Sequence, residues 1–147
     1  MAKKIIGYTT GVFDMFHIGH LHLLKKAKHR CDYLIVGVSS DELVEEYKNK
    51  KPIIPFEHRL EIVSSLKFVD EVLVQSHRDK FKQFLDIGYD KLFVGDDWKD
   101  STIFNELEAK LKPYGAMVEY FPYTKDVSST KFREILQQIY DDEKLVK

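Results

Sequence analysis

The segment from residue 11 to residue 20 reads G-V-F-D-M-F-H-I-G-H and places His17 and His20 on either side of Gly19. It follows a short apolar run and precedes a helical pattern, so the histidines fall at the start of a helix. A helix start presents unpaired N–H groups that attract phosphate, and a glycine lets the backbone approach a bulky anion closely. Paired imidazoles also donate hydrogen bonds to phosphoryl oxygens, more strongly when protonated. The spacing therefore predicts a phosphate site between the first strand and the first helix.

Two other interpretations of His17 and His20 compete with a phosphate site. They could be ordinary residues at a helix start, or they could bind zinc. The preceding G-x-F-D and the strand-to-helix position disfavour the first interpretation. Zinc is disfavoured because no Cys, Asp or Glu stands at a matching ligand spacing nearby, and His22 points to a different helix face. The sequence therefore predicts no metal site built from protein side chains.

Five short apolar runs, each bounded by Gly, Pro or Asp, indicate buried strands. They cover residues 5–8, 33–38, 71–74, 91–95 and 116–121. Between them, apolar residues recur at helical spacing: Leu21, Leu24 and Ala27; Phe56, Leu60, Val63 and Leu66; Phe81, Phe84 and Leu85; Phe104, Leu107 and Leu111; Phe132, Ile135, Leu136 and Ile139. This alternation predicts a single α/β domain over residues 1–147, with a Rossmann-like, doubly wound, parallel five-stranded sheet and helices on both faces. Ligands of such sheets bind at the carboxyl ends of the strands, where the strand order reverses.

Two local features refine this outline. Ser39 and Glu42 have the spacing of a capping box, which predicts a helix starting there. The stretch from Glu45 to Pro55 is rich in lysine and ends in two prolines, so we expect it to form a mobile loop.

The composition limits the classes of function. Hydrophobic residues make up 44% of the 147 residues, which suffices for a buried core. The net charge is only −1, so a strongly basic nucleic-acid surface is not supported. No apolar run approaches the roughly 20 residues that span a bilayer, the N-terminus lacks a signal-peptide core, and the lone Cys31 excludes an internal disulfide. We therefore expect a cytoplasmic protein that binds neither nucleic acid nor membrane.

Motifs along nearly the whole chain resemble, in order, those of the HxGH nucleotidyltransferase superfamily and, more closely, its cytidylyltransferases. After G-V-F-D and H-I-G-H come D-Y-L-I-V-G-V-S-S-D-E, K-N-K-K, E-H-R, V-D-E-V, V-G-D-D-W and V-S-S-T-K-F-R. The G-D-D-W motif points to the branch that uses glycerol 3-phosphate. The resemblance implies transfer of CMP from CTP to a small phosphorylated alcohol, Mg²⁺ carried by the triphosphate, and a homodimer.

The resemblance also implies roles for individual residues. The residues expected in catalysis are His17, His20, Lys50 and Arg133. Those expected at the nucleotide are Val12, Phe13, Asp14, His17, Gly19, His20, Lys50, Thr124, Val127, Ser128, Ser129 and Thr130. Those expected at the acceptor are Lys48, Arg59, Lys80, Asp96, Asp97 and Trp98.

Several of these residues also have purely structural interpretations. The serines at the start of the last helix form a second anion site or cap that helix, and both can hold together. The lysine pair could be a solvated charge run, Arg59 a surface salt bridge, and the aspartates after residue 95 a turn. Asp14 could orient a histidine or help to bind a magnesium complex. Two helix starts that face one crevice can clamp a triphosphate between them.

The chain departs from the family where Tyr123 and Asp126 replace an arginine and a glycine. That arginine lies near the nucleotide in the family, so the choice between cytosine and adenine stays open, and Lys125 or Arg133 could supply the charge. An adenylyltransferase, a flavin-forming enzyme, and acceptors such as glycerol 2-phosphate, another polyol phosphate or phosphoethanolamine are the alternatives. A non-catalytic nucleotide-binding protein is a further one, which the intact H-x-G-H and S-S-T motifs disfavour.

Overall fold

The computed structural model describes residues 3–122 and 129–146. Within these residues, strands and helices alternate as follows: β1 Ile6–Gly11, α1 Ile18–His29, β2 Tyr33–Ser39, α2 Asp41–Lys48, α3 Phe56–Ser64, β3 Glu71–Gln75, α4 Lys80–Ile87, β4 Lys91–Gly95, α5 Thr102–Leu111, β5 Met117–Phe121 and α6 Ser129–Val146. Short 3-10 turns follow β4 at Asp96–Trp98 and α5 at Lys112–Tyr114. A strand is present at each of the five predicted places, and β1 extends further than predicted, to Gly11.

The five strands form one parallel sheet in the order β3-β2-β1-β4-β5. The chain builds outward from β1 to β3 on one side and then crosses to β4 on the other side of β1. The strand order therefore reverses between β1 and β4, which places the expected ligand crevice at the carboxyl ends of these two strands. The predicted doubly wound sheet is confirmed.

Side chains of the strands alternate between two apolar clusters, one on each face of the sheet. One cluster contains Tyr8, Ile35, Leu92 and Val118 of the strands with Phe104, Leu107 and Leu111 of α5. The other contains Leu34, Val36, Val38 and Phe93 of the strands with Leu24 and Ala27 of α1 and Val63 of α3. Partly buried Phe81 and Phe84 of α4 pack against the first cluster. Helices therefore cover both faces of the sheet, as predicted.

The start of α2 differs from the sequence prediction by one residue. Ser40, not Ser39, caps the helix, and its hydroxyl accepts a hydrogen bond from the Leu43 backbone N–H at 3.2 Å. Ser39 is the last residue of β2, and its Oγ accepts from Gln75 instead. The capping box with Glu42 is therefore wrong, because the strand runs one residue further than the pattern indicated.

The predicted loop from Glu45 to Pro55 is also shorter than expected. Helix α2 continues to Lys48, and Asn49, with a φ of 57°, ends it in the left-handed conformation. Asparagine tolerates this conformation better than most residues, which explains why the helix stops there. Lys48 is therefore held on the last turn of a helix, and only Lys50 and Lys51 lie beyond it.

Helices α4 and α6 leave exposed some of the residues whose helical spacing indicated an apolar face. Leu85 of α4, predicted to share the buried face, is 61% exposed. On α6, Ile135, Leu136 and Ile139 are each about half exposed. Across residues 3–122 and 129–146, no helix combines the length and the apolar character needed to cross a bilayer.

We predict that Leu24→Ala lowers the free energy of unfolding by about 2–5 kcal/mol, because Leu24 is fully buried and its truncation leaves a cavity. Leu85→Ala is the matched control, since it removes the same atoms from an exposed position, and we expect a change below about 1 kcal/mol. Urea denaturation measures both. Equal losses in the two variants would contradict the assignment of the core.

Candidate active site

The histidines of the H-x-G-H segment hold each other at the start of α1. His17 is the N-cap residue, and its Nδ1 accepts a hydrogen bond from the Gly19 backbone N–H at 3.1 Å. His20 reaches back, and its Nδ1 accepts from the backbone N–H of His17 at 3.2 Å. The two rings stack with centroids 3.8 Å apart. This is a capping box in which two imidazoles take the places of the usual hydroxyl and carboxylate.

The cap determines which proton each imidazole carries. Because both Nδ1 atoms accept a backbone N–H, the proton of each neutral ring is on Nε2. Burial lowers the pKa of His17, and burial together with the charge of His17 lowers the pKa of His20 to about 3 against the opposing effect of Asp14. Both rings are therefore neutral Nε2–H donors near pH 7, without the stronger hydrogen bonds that protonation would give.

The loop that leads into α1 has an unusual backbone. Phe13 and Met15 have φ values of 56° and 48°, in the left-handed region that side chains other than glycine disfavour. Such conformations cost about 1–3 kcal/mol each and persist where the surroundings hold them, often at functional sites. Phe13 is buried, and its ring meets the edge of His20 with centroids 5.4 Å apart. Phe13, predicted to lie at the nucleotide, therefore packs against the ring of His20.

Asp14 ties three parts of the site together. Its carboxylate accepts hydrogen bonds from the backbone N–H groups of Ile53 and Ile54 at 2.9 and 2.8 Å. It also forms an ion pair with Arg133 of α6 at 2.8 Å. Because Asp14 is buried, these contacts fix the loop after α2 and the start of α6 relative to the histidine loop.

Arg59 is not an acceptor-binding residue in this structure. It is fully buried, and its guanidinium donates to the carbonyl oxygens of Val12, Ser39 and Ile54 at 2.7 to 2.9 Å. It also pairs with Asp41 at 2.7 Å. The prediction that Arg59 contacts the acceptor is wrong because its N–H groups bind the protein instead. The residue joins the carboxyl ends of β1 and β2 to α3.

The start of α6 lies beside the start of α1. The ring of Phe132 meets His17 edge-on with centroids 5.3 Å apart. Thr130 and Arg133 line a pocket of about 470 Å³ together with Asp14 and His20. The predicted residues Thr124, Val127 and Ser128 lie outside the described residues, and Ser129 is the first residue of α6. Two helix starts thus border the same space, as the motif spacing suggested.

The two lysines of the K-N-K motif border this smaller pocket as well. Lys48 and Lys50 both line it, with Val12 and Phe13 on the histidine side. Burial, followed by the charges of Lys50, Arg133 and other cations, lowers the pKa of Lys48. Positive charge is therefore concentrated in this pocket, from the lysines at and just after the end of α2 and from Arg133 of α6.

A larger cleft of about 770 Å³ opens at the carboxyl ends of the strands. His17, Gly19 and His20 line its middle. Residues on the β2–β3 side are Ser39, Tyr47, Lys48, Gln75, Arg78 and Lys80. Residues on the β4–β5 side include Gly95, Trp98, Phe121 and Pro122. The cleft therefore has a mainly cationic wall, which also carries Asp79, and an apolar wall around Trp98 and Phe121, with the two imidazoles between them. Glu106 and Lys110 of α5 line the cleft as well.

The G-D-D-W residues divide between this cleft and the solvent. Trp98 lines the cleft, and its role in binding substrate stays a prediction. Asp96 and Asp97 occupy the 3-10 turn after β4, are exposed, and do not line it. The structure therefore does not bring these two carboxylates into the lining of the cleft, and their role at the acceptor stays a prediction.

Lys80 is held in the cleft by a buried amide. Its Nζ donates to Oε1 of Gln75 at 2.5 Å, and the Gln75 amide donates to Ser39 at 2.8 Å. Gln83 donates to the same Gln75 oxygen at 3.2 Å. Burial, with a smaller effect of Arg78, lowers the pKa of Lys80 to about 8. The predicted lysine is thus present in the cleft and close to its titration point at neutral pH.

Three residues of this wall escaped the sequence prediction. Arg78 lies over the ring of Tyr47, with its guanidinium carbon 4.2 Å from the ring centroid, and Gln75 anchors Lys80. Gln75 ends β3, so its position at a strand's carboxyl end was a usable signal. The contact between Arg78 and Tyr47 joins residues that are far apart in the chain and left no local pattern.

A magnesium ion bound to a triphosphate would find one carboxylate, Asp14, in the smaller pocket. The residues of 3–122 and 129–146 include no group of three or more His, Cys, Asp or Glu side chains that would hold a metal ion. Asp14, the carboxylate in the smaller pocket, already binds two backbone N–H groups and Arg133. Mg²⁺ typically keeps several waters and uses substrate phosphates with one or two carboxylates. Phosphate oxygens would therefore be its main ligands here.

Comparison with known proteins identifies the family. The cytidylyltransferase-like family matches residues 8–135, which is most of the chain. The chain belongs to the cytidylyltransferase-like family. Glycerol-3-phosphate cytidylyltransferase of Bacillus subtilis is 37% identical over 133 residues, which cover 90% of this chain and 95% of that protein. The FAD synthase of Thermococcus sibiricus is 36% identical over 140 residues, 95% of each chain.

A solved structure agrees with this family membership. The lipopolysaccharide core biosynthesis protein of Thermoplasma volcanium superposes with a TM-score of 0.68 at 32% identity, covering 85% of this chain and 100% of that one. The cytidylyltransferase-like chain is therefore an enzyme of the nucleotidyltransferase class. Its family binds a nucleotide and a phosphorylated substrate. The two curated relatives differ in product at similar identity, so the choice of acceptor depends on the site.

We predict that Arg59→Leu lowers the free energy of unfolding by about 3–5 kcal/mol, because it leaves Asp41 and three carbonyl groups without their donor. Arg30→Leu is the matched control. It breaks the exposed pair with Glu119, for which we expect a much smaller change. Urea denaturation measures both. Wild-type stability of Arg59→Leu, with only a raised KM for an acceptor, would contradict the structural role.

We predict that stability falls as the pH drops below about 6.5, because unfolded His20 then binds a proton that the folded ring resists. A single such group removes up to about 2 kcal/mol by pH 5. In His20→Gln this contribution disappears, so the variant should gain stability relative to wild type between pH 7 and pH 5. Thermal unfolding across this range tests it, with exposed His22→Gln as control. A pH-independent difference would refute the neutral imidazole.

Proposed function

We propose that this enzyme transfers CMP from CTP to glycerol 3-phosphate, giving CDP-glycerol and pyrophosphate, in the cytoplasm. One observation carries the proposal. Two neutral Nε2–H donors, His17 and His20, stand between a cationic wall with Lys48 and Lys80 and the start of α6. An in-line transfer needs this order: acceptor phosphate, reacting phosphorus, leaving pyrophosphate.

The reaction is a direct displacement. An oxygen of the acceptor phosphate attacks the α-phosphorus of CTP, a new P–O bond forms, and the bond to the bridging oxygen breaks so that pyrophosphate leaves. A phosphate monoester has its second pKa at about 6 and is anionic at pH 7, so it needs little help from a general base. The work of the protein is to position two anions and to stabilise the charge that develops.

The imidazoles stabilise the reacting phosphoryl group. Their backbone hydrogen bonds fix the ring orientations before the substrate arrives, so little reorganisation is needed during the reaction. The neutral rings donate Nε2–H to the oxygens of the α-phosphate and of the leaving group. The apolar wall with Trp98 and Phe121 accepts the nucleoside.

The smaller pocket holds the β and γ phosphates. Lys50 and Thr130 line it, and Arg133 keeps further N–H groups beyond the one that binds Asp14. The N–H groups at the start of α6 add partial positive charge. Magnesium, when bound with the triphosphate, neutralises part of the phosphate charge and polarises the phosphoryl oxygens.

A flavin-forming adenylyltransferase is the second candidate. Two observations favour it: the FAD synthase relative is nearly as similar as the glycerol-3-phosphate enzyme, and the cleft of about 770 Å³ has an apolar wall. Pyrophosphate release with each of CTP, ATP, GTP and UTP, crossed with glycerol 3-phosphate and flavin mononucleotide, separates the two. Turnover with ATP and the flavin alone would overturn the glycerol proposal. The homodimer implied by the resemblance stays a prediction that analytical ultracentrifugation tests.

We predict that His17→Ala and His20→Ala each lower kcat by about 10²-fold or more, the scale for losing one preorganised donor to a developing oxyanion. Exposed His22→Ala is the control, because it removes an imidazole from the same helix outside the cleft. Steady-state kinetics with saturating CTP and acceptor measure kcat. Near-normal turnover in both folded variants would remove the histidines from the mechanism.

We predict that Lys48→Ala chiefly raises the KM for the acceptor and leaves kcat close to wild type, because it removes binding that the ground and transition states share. The same substitution at exposed Lys82 controls for the loss of one positive charge. An unchanged acceptor KM with a raised KM for CTP would assign Lys48 to the nucleotide instead.

We predict that kcat/KM for the acceptor falls above about pH 8, because Lys80 loses its proton there and no longer attracts the phosphate. Lys80→Arg keeps the charge, so its profile should stay level to higher pH even if its maximum is lower. The same fall at pH 8 in both enzymes would show that another group is responsible.

A further inference from the structure

Arg78 and Tyr47 form a contact on the cationic wall that the reaction described above does not use. The guanidinium carbon of Arg78 lies 4.2 Å from the centroid of the Tyr47 ring, within the range of a favourable cation–π contact. Both residues line the larger cleft beside Lys48 and Lys80. Neither lines the smaller pocket with Lys50 and Thr130.

The cations on this wall of the cleft outnumber its carboxylates. Among residues 3–122 and 129–146, no ion pair involves Lys48, Arg78 or Lys80. Asp79 lies next to them, but its carboxylate caps α4 by accepting the Lys82 backbone N–H. The charge of Arg78 contributes to the lowered pKa of both neighbouring lysines. Three cations and one carboxylate, which already caps a helix, leave net positive charge on this wall of the cleft, and such a wall suits a multiply charged anion.

The arginine differs from the two lysines in what it can recognise. A guanidinium offers a planar fork of N–H groups that matches two oxygens of one phosphate, whereas an ammonium acts as a point charge. Stacking on Tyr47 restricts the orientation of the Arg78 guanidinium in the free protein and reduces the entropy lost on binding. The position of Arg78, apart from the smaller pocket, separates it from the nucleotide phosphates.

We propose that Arg78, held against the ring of Tyr47, is a specificity-determining residue that selects an acceptor with a terminal, unsubstituted phosphate. The proposal rests on the function proposed above and deepens it. The fork binds two oxygens of the acceptor phosphate, and Lys48 and Lys80 neutralise the dianion. A phosphodiester carries only one negative charge and a neutral alcohol carries none, so both are rejected.

The decisive experiment compares Arg78→Gln, Arg78→Lys and Arg78→Ala with Lys82→Gln, which removes a charge from the same region outside the cleft. We expect Arg78→Gln to raise the KM for the acceptor about 10- to 100-fold, because that is the effect of losing a hydrogen bond to a charged group. The value of kcat and the KM for CTP should stay within about threefold of wild type. Arg78→Lys should recover part of the loss, and millimolar guanidinium should lower the acceptor KM of Arg78→Ala.

Substitution of Tyr47 tests the stacking itself. Tyr47→Leu removes the ring, and we expect a rise of about 2- to 5-fold in the acceptor KM, the size of an exposed cation–π contact. Tyr47→Phe keeps the ring and should give the smaller change of the two. Equal changes in both variants would contradict a role for the ring face.

The outcomes distinguish this inference from the proposed function. Turnover with glycerol 3-phosphate and an acceptor KM of Arg78→Gln within twofold of wild type would overturn the role of Arg78 alone. Turnover only with another phosphate monoester, together with the expected KM change, would overturn the glycerol assignment and support Arg78. Both proposals fail if calorimetry shows that the wild-type enzyme binds no phosphate monoester and if no phosphate monoester is turned over with any of the four nucleotides.

Discussion

Backbone N–H groups hold the imidazoles of His17 and His20 at the start of α1 by donating to their Nδ1 atoms. An imidazole that accepts at Nδ1 must carry its proton at Nε2, and protonation of Nδ1 would break the cap. The same two hydrogen bonds therefore fix the ring positions, keep the rings neutral and cap the start of the helix. The strand order reverses between β1 and β4, next to this pair. The carboxyl ends of β2 and β3 therefore lie on one side of the histidines, and those of β4 and β5 lie on the other.

Two buried charges collect the surrounding loops around the histidines. Arg59 joins the ends of β1 and β2 to α3, and Asp14 joins the histidine loop to residues 53–54 and to α6. Arg59 satisfies carbonyl groups from three separate segments, and Asp14 satisfies the N–H groups of adjacent Ile53 and Ile54. Burial strengthens such hydrogen bonds. The family motifs thus include residues, Arg59 and Asp14 among them, that build the crevice itself.

Much of the fold followed from the sequence because its signals are local. Short apolar runs such as residues 91–95 predicted the strands, and the H-x-G-H spacing predicted the helix start with its histidines. Arg59 was misplaced because nothing in the sequence shows that a charged residue on an amphipathic helix is fully buried. Lys48 was assigned to a loop because the left-handed turn at Asn49 that ends α2 comes after it, not before. The pairing of Arg78 with Tyr47 depends on tertiary structure alone.

Helix α6 buries little of its apolar surface against the core. Ile135, Leu136 and Ile139 are about half exposed, and the contacts at its first turns include the Arg133–Asp14 pair and the Phe132–His17 ring contact. Local opening of a segment with little buried apolar surface costs less free energy than opening of the central sheet. A polyphosphate that bridges α1 and α6 would add its binding free energy to the closed arrangement. Occupancy of the enzyme by nucleotide and protection of its last helix from hydrogen exchange are consequently linked quantities.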